Sequence, residues 1–338
     1  MIHLDFETRS HCDLKRHGAY LYATDPSTEI LCLCYAINDG PVRCWLPGEP
    51  FPEELRKAID GGALIAAHNA AFDRLVWWYV GEVDCGFPRT EIEQWYCTAA
   101  QARARGYPGS LEDLGKALQL DVRKDKRGKE LIALMSVPPY EESPELTAEM
   151  VAYCARDVEV ERACAAATDP LTPGELRAYH VSEHINDRGL KVDVPFARAA
   201  TTYAAEETAD IARELSRVTN GAVSGTRQFA RIKDWVLPRL SPRARKLTVR
   251  HKTDRRTGET TRKVTLDKAA RFNLLTLLQE SPDEALDPAV TDVIELVDEA
   301  GRTSVSKYAA MVDRADPQDA RVRGAYLYAG AGQTGRFS

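Results

Sequence analysis

The chain has 338 residues, of which 44% are apolar and 28% charged, with a formal net charge of −6. This is typical of a soluble globular protein long enough for two domains, each with its own core. No stretch approaches the roughly 20 apolar residues of a membrane helix, and no basic segment followed by an apolar one opens the chain. We therefore expect a cytoplasmic protein with no membrane partner.

The charge is divided unevenly along the chain. Residues 1–170 carry 18 Lys and Arg against 28 Asp and Glu, whereas residues 171–338 carry 27 against 23. An acidic first half suits the binding of metal cations, and a basic second half suits a polyanion. The eight cysteines form no CxxC pair, so we expect reduced, largely buried thiols rather than a zinc site or disulfides.

The first half alternates between strand and helix patterns. Runs rich in β-formers predict strands at 1–6, 29–37, 42–46 and 63–67. Helical periodicity and capping residues predict helices at 52–59, 71–80, 91–105, 111–118, 129–135 and 147–166. The order predicts an α/β fold in which helices flank a mixed central sheet.

The best domain boundary is the segment Thr-Asp-Pro-Leu-Thr-Pro-Gly at 168–174, where Thr172 and Pro173 are suited to start a helix. We expect domains at 1–168 and 169–338. The second is mainly helical, with helices predicted at 174–186, 195–219, 226–237, 266–280 and 289–313. A basic stretch at 239–263, with ten Lys and Arg against two acids, interrupts them, and its centre at 253–259 resembles an exposed hairpin tip.

Four acids and one tyrosine are candidates for chemistry: Asp5, Glu7, Asp73, Tyr153 and Asp157. Residues i and i+2 share one face of a strand, and residues i and i+4 share one face of a helix. Asp5 and Glu7 are therefore expected to share one face of the first strand, and Tyr153 and Asp157 one face of the last helix. Taken singly, each has an ordinary alternative: a surface strand residue, a helix N-terminal charge or a core aromatic. The exception is Asp5, because an unpaired acid in an apolar strand is costly.

Four carboxylates meeting in one pocket would repel one another, and hard divalent cations remove that cost. Mg²⁺ or Mn²⁺ takes such oxygen ligands. Two ions about 4 Å apart can activate an attacking water and stabilise a leaving oxygen. The pattern predicts metal-dependent cleavage of a nucleic acid.

The motifs DxE at Asp5, NxxFD ending at Asp73 and YxxxD ending at Asp157 resemble those of the DEDD exonucleases of RNase-H-like fold, in their tyrosine subtype. The resemblance implies that the four acids hold two Mg²⁺ or Mn²⁺ ions, with Asp5 bridging them, and that Tyr153 orients the attacking water. It also implies that Asn69 and Phe72 contact the strand end. The implied reaction releases nucleoside 5′-monophosphates from a DNA 3′ end.

Residues 177–193 and 320–338 resemble family A DNA polymerases of the phage-like, bacterial polymerase I type. The resemblance implies a thumb region that grips duplex primer–template, in a bacterial or phage-infected cytoplasm. The residues expected to contact DNA there are Arg245, Lys246, Arg250, Lys252, Arg255, Arg256, Arg302, Lys307 and Arg336.

The resemblance stops before the palm, so we expect no polymerisation by this chain alone and allow for a second chain carrying palm and fingers. Two other functions stay open. One is a DEDD-type 3′–5′ exoribonuclease. The other is a DNA-binding half of a split polymerase whose nuclease fold is inert.

Overall fold

The structure is a computed structural model and describes residues 1–121, 127–253, 258–301, 305–332 and 334–338. The chain forms two compact units. Unit one comprises Met1–Asp193 and Asp313–Ser338, and unit two comprises Val194–Val312. The expected boundary at 168 falls inside unit one, which continues for 25 residues beyond it and takes in the C-terminal segment. Among the described residues, no helix is both long and apolar enough to cross a membrane.

The described strands form one large sheet and two small ones. They are β1 Ile2–Arg9, β2 Glu29–Ile37, β3 Arg43–Trp45, β4 Ile65–Ala67, β5 Trp95–Cys97, β6 Leu190–Lys191, β7 Val249–Thr253, β8 Thr260–Val264 and β9 Arg321–Val322. The large sheet has the order β3-β2-β1-β4-β5. Its first three strands are antiparallel, and β4 and β5 run parallel to β1. This is the predicted mixed sheet. The small sheets pair β6 with β9 and β7 with β8.

Helices cover the sheet of unit one and make up most of unit two. In unit one they are α1 Leu14–His17, α2 Ala19–Thr24, α3 Glu53–Asp60, α4 Ala70–Val76, α5 Glu82–Asp84, α6 Thr98–Ala104, α7 Leu111–Ala117, α8 Gly128–Met135, α9 Pro144–Ala166 and α10 Pro173–Arg188. Beyond it are α11 Val194–Val218, α12 Phe229–Val236, α13 Pro242–Lys246, α14 Lys268–Glu280, α15 Ala289–Ala300 and α16 Ser306–Arg314.

Two predicted helices are wrong in part. The expected helix at 91–105 contains β5, and helix begins only at Thr98. Its Trp-Tyr-Cys run favours strand and adds to β4, so tertiary pairing decides the local structure. The expected helix at 289–313 is interrupted after Ala300, where Gly301 caps α15.

The two faces of β1 bury different kinds of residue. Ile2, Leu4 and Phe6 point into the main core, which also contains Trp77 and Trp95. The alternate residues face α9, which packs across β1 and β2. This 23-residue helix starts with Pro144 after Ser143, whose hydroxyl accepts the N–H of Leu146. The sheet and α9 therefore frame a polar seam beside an apolar core.

Unit two has its own core beneath a basic hairpin. The core is formed by α11, α12, α14 and α15, with Leu215, Trp235 and Leu274 among its buried side chains. Strands β7 and β8 pair from Val249 with Val264 to Thr253 with Thr260. The sequence predicted an exposed hairpin tip at 253–259, of which residues 254–257 lie outside the described part of the chain. The flanking strands pair in antiparallel fashion, and β8 is almost wholly exposed.

Candidate active site

The acidic residues of β1 and α9 meet along the seam between these two elements. Carboxylate oxygens of Asp5, Glu7 and Asp157 all lie within 4.8 Å of one another. Tyr153, one helical turn before Asp157, donates its hydroxyl to that carboxylate. The structure thus brings together four of the five residues singled out from the sequence, three of them with ligand atoms in mutual reach.

Matching periodicities explain why several residues of each element stay in contact. Two residues of a strand advance about 6.6 Å, and four residues of a helix advance about 6 Å. Successive same-face side chains of β1 therefore meet successive same-face side chains of α9. The pairs are Glu7 with Tyr153, Asp5 with Asp157, and His3 with Glu161.

The site is largely shielded from water. Glu7, Asp157 and Tyr153 are 8%, 4% and 2% exposed, and Asp5 is half-buried. Burial raises the pKa of the Tyr153 phenol, and the negative charges of Asp157, Glu7 and Asp5 raise it further. Tyr153 is therefore a neutral hydrogen-bond donor at any physiological pH and is unsuited to act as a base.

Asp73 approaches the same seam from α4. Its Oδ1 accepts the backbone N–H of Phe6 at 3.4 Å, which places it beside the peptide bond between Asp5 and Phe6. It is outside the group of three acids whose oxygens lie in mutual reach. Burial raises the pKa of the Asp73 carboxyl to about 8, with a further contribution from the charge of Glu161 and opposition from the Phe6 N–H.

Sequence reasoning missed the pair His3 and Glu161. The His3 Nδ1 lies 2.7 Å from the Glu161 Oε2, and the two residues are 7% and 2% exposed. A signal was present, because His3 lies two residues before Asp5 and Glu161 four residues after Asp157. The same periodicities that grouped the acids extend to this pair.

Sequence reasoning also missed Gly128, the first residue of α8. A Cβ at this position would come within 2.2 Å of the Tyr153 ring. The absence of a side chain therefore lets α8 press directly on the ring. Nothing in the local sequence indicates this contact, because it joins residues 25 positions apart.

A group of cysteines lies behind the acids, on β2, β3 and α9. Cys34 and Cys44 are directly opposite in the β2–β3 pair and are joined by a disulfide. The expectation of eight reduced thiols is wrong here, because strand pairing brings these two together. The Cys154 thiol donates to the Asp5 carbonyl oxygen at 3.2 Å, and burial raises its pKa. It therefore supports the backbone at Asp5 as a neutral thiol.

The two residues expected to contact a strand end line a cleft of unit one. Asn69 is exposed and adopts a left-handed conformation, with φ of 71°, immediately before α4. Phe72 is half-buried and packs against Tyr22 at a ring distance of 5.8 Å. Both border a cleft of about 240 Å³, which is also lined by Tyr20 and Arg103.

The structure separates the predicted basic contacts into two groups. The Arg245 guanidinium donates to the carbonyl oxygens of Leu240 and Pro238, and Arg250 pairs with Asp267, so both serve within unit two. Lys246, Lys307 and Arg336 are exposed. The side chain of Lys252 and residues Arg255, Arg256 and Arg302 lie outside the described part of the chain.

The chain is similar to known DNA polymerases, although no family model matches it. It is 30% identical over 357 aligned positions to a DNA polymerase of Bacillus phage SP02, across 99% of this chain and 49% of the phage protein. A structure of the POL domain of Pol1 from M. smegmatis, in complex with DNA primer-template and dNTP, matches with a TM-score of 0.51. The match has 15% identity and covers all of this chain and 50% of that one.

Both likenesses extend over almost all of this chain. The chain spans about half the length of the phage polymerase that it matches. The similarity in sequence is to a phage DNA polymerase, and the similarity to the solved structure is one of fold.

Proposed function

We propose that the chain is the 3′–5′ exonuclease and thumb portion of a family A DNA polymerase. Residues 1–168 would be a DEDD-type nuclease of RNase-H-like fold, and residues 169–338 the thumb region. The observation that carries the proposal is the meeting of Asp5, Glu7 and Asp157 within 4.8 Å, with Tyr153 bonded to Asp157.

The donor set fits two divalent cations. Hard carboxylate oxygens are the ligands that Mg²⁺ and Mn²⁺ prefer. Three buried or half-buried acids in mutual reach, with a fourth beside them, repel one another unless cations or protons neutralise them. Asp5, Glu7 and Asp157 would hold one ion. Asp73 would complete a second site with Asp5, and the ions would lower the pKa of a water and stabilise the leaving oxygen.

The protein's own residues supply position and shielding. As a neutral donor fixed between Asp157 and Gly128, Tyr153 orients the attacking water without removing its proton. Burial of the acids keeps bulk water from screening the reaction's developing charge. Asn69 and Phe72 would hold the last nucleotides of the strand, the phenyl ring by stacking.

DNA is the proposed substrate because the relatives named above are DNA polymerases, one of them bound to primer-template. In unit two, Lys246 and the exposed cations of β8 would contact duplex phosphates. Such contacts are independent of base sequence.

The test compares 5′-labelled single-stranded DNA and RNA of equal length, with Mg²⁺, Mn²⁺ or EDTA. We expect shortening of the DNA from its 3′ end with either cation and none in EDTA. Asp5→Ala should lower the rate at least about 1,000-fold, because it removes a carboxylate that would hold the divalent cations. The control is Asp39→Ala, which removes an exposed acid from the turn after β2.

Tyr153→Phe separates positioning from metal binding. It should lower kcat about 100-fold, because the water is no longer oriented, while Mn²⁺ affinity stays the same. Wild-type activity in Asp5→Ala would refute the assignment of catalysis to this seam. Preference for RNA would favour an exoribonuclease, and binding of DNA without any cleavage would favour an inert nuclease fold.

A further inference from the structure

The third contact along the seam, between His3 and Glu161, has no place in the proposed chemistry. Its two side chains are almost completely buried, and one oxygen of the carboxylate lies 2.7 Å from the histidine Nδ1. The other oxygen, Oε1, has no hydrogen-bond partner among the described residues. A buried carboxylate oxygen without a partner is costly, so a purely structural contact would be better served by an amide or an apolar pair.

The position of Glu161 connects it to the metal side of the seam. Its negative charge acts on the Asp73 carboxyl, which is itself 2% exposed. Glu161 lies one helical turn after Asp157 on α9, and its partner His3 lies two residues before Asp5 on the same face of β1, so the pair adjoins the acids of the seam. His3 contacts Oε2 of Glu161, which leaves Oε1 able to accept a hydrogen bond from another group.

We propose that Glu161 is an outer carboxylate of the metal site, oriented by His3, and that it strengthens binding of the divalent cation held by Asp73. Glu161 adds negative charge next to Asp73, and its Oε1 can accept a hydrogen bond from a water that the cation brings. Both residues act through others and are positioning residues. This inference rests on the proposed function, because it needs a cation at Asp73.

The contact between His3 and Glu161 also fixes α9 against β1, which favours binding of the same cations. With the His3 and Glu161 pair intact, α9 cannot slide along β1 without breaking a buried hydrogen bond. The separation of Asp157 from Asp5 is thereby held. Outer partners of this kind typically change metal affinity about 10–100-fold when removed.

The experiment measures Mn²⁺ binding to the full chain by electron paramagnetic resonance of the free ion, together with its melting temperature in EDTA. We expect Glu161→Gln to weaken the lower-affinity Mn²⁺ site about 10–100-fold. Glu159→Gln is the matched control, because it removes the same charge from the solvent side of α9, where Glu159 pairs with Arg156. Its Mn²⁺ affinity should stay within about twofold of wild type, because an exposed charge is screened.

His3 provides a second, independent pair of variants. His3→Asn keeps an N–H donor near the Nδ1 position and should retain Mn²⁺ affinity, whereas His3→Leu should weaken it as Glu161→Gln does. Equal Mn²⁺ affinity in His3→Leu, Glu161→Gln and wild type, with only the melting temperature lowered, would overturn the inference. If the wild-type chain binds Mn²⁺ and degrades DNA in that case, the proposed function stands. A wild-type chain that binds no Mn²⁺ would overturn both.

Discussion

The two units treat charge in opposite ways. Unit one buries Glu7, Asp73, Arg74, Asp157, Glu161, Glu183 and Asp316, all less than 9% exposed. Among the described residues of unit two, no Asp, Glu, Lys or Arg is buried. Burying a charge costs several kcal/mol, whereas an exposed charge costs almost nothing. Buried charges therefore identify a site more strongly than the larger number of exposed cations does.

The largest expected effect tests this contrast on stability. Arg74 is 1% exposed and donates to Asp187 at 2.6 and 2.9 Å and to Glu183 at 3.0 Å. Arg74→Leu should cost about 3–5 kcal/mol of unfolding free energy, because it leaves the Glu183 carboxylate buried without its cation. The matched variant in unit two is Arg217→Leu, which breaks the exposed pair with Glu214 and should leave the free energy of unfolding almost unchanged.

Urea denaturation followed by tryptophan fluorescence measures both variants. Trp45, Trp77, Trp78 and Trp95 report on unit one, and Trp235 reports on unit two, so each variant has a fluorescent reporter in its own unit. Similar decreases in stability in the two variants would remove the contrast between buried and exposed charge.

Residues close in sequence were predictable, and contacts between distant segments were not. Asp5 with Glu7 and Tyr153 with Asp157 share faces by strand and helix periodicity alone. The contact of Gly128 with Tyr153, the opposition of Cys34 and Cys44, and the addition of β5 to β4 depend on tertiary pairing. Local propensity does not contain that information.

The position of the C-terminal segment in unit one also depends on contacts between distant segments, which local sequence does not predict. The sequence placed 169–338 in one region, because its composition changes after Thr168. In the structure, β9 pairs with β6, and Asn186 of α10 bonds the backbone of Tyr326 through both N–H and carbonyl. These contacts join segments about 140 residues apart, and no pattern near either segment indicates them.

The second prediction concerns how the stability of unit one, with its buried acids, depends on pH. Because the pKa of Asp73 is raised to about 8, the metal-free folded chain binds a proton that the unfolded chain has already released. Stability should therefore fall as pH rises from about 5 to about 8, by at most about 1.4 kcal/mol per pH unit from this group. Mn²⁺ should restore stability most strongly at pH 8, because it binds the ionised carboxylate.

Melting temperatures in EDTA and in Mn²⁺, at pH 5.5 and 8, measure this effect. Glu183 has a pKa raised by burial and contributes in the same direction, so Asp73→Asn should reduce the slope without abolishing it. A melting temperature in EDTA that is constant or rises over this range would contradict the assignment of a protonated Asp73.

The smallest expected effect tests the exposed cations of unit two. Lys246, Arg262 and Lys263 are exposed. Arg245 and Arg250 differ from them because their guanidinium groups already contact other groups of unit two. Neutralising the three exposed cations to Gln should lower the slope of log affinity for duplex DNA against log salt by about 0.9 for each phosphate that the protein no longer neutralises. Melting temperature should not change, because surface charges away from partners contribute little.

The control for this slope is the double variant Arg213→Gln and Arg217→Gln on α11, which removes exposed cations that are already paired with acids. Filter binding or fluorescence anisotropy across salt concentrations measures both variants. If the control lowers the slope as much as the variant lacking Lys246, Arg262 and Lys263 does, DNA attraction is a property of net charge alone. If only the latter variant lowers it, these exposed cations form a DNA-binding surface. Burial of charge would then distinguish a site that performs chemistry from one that only attracts a polyanion.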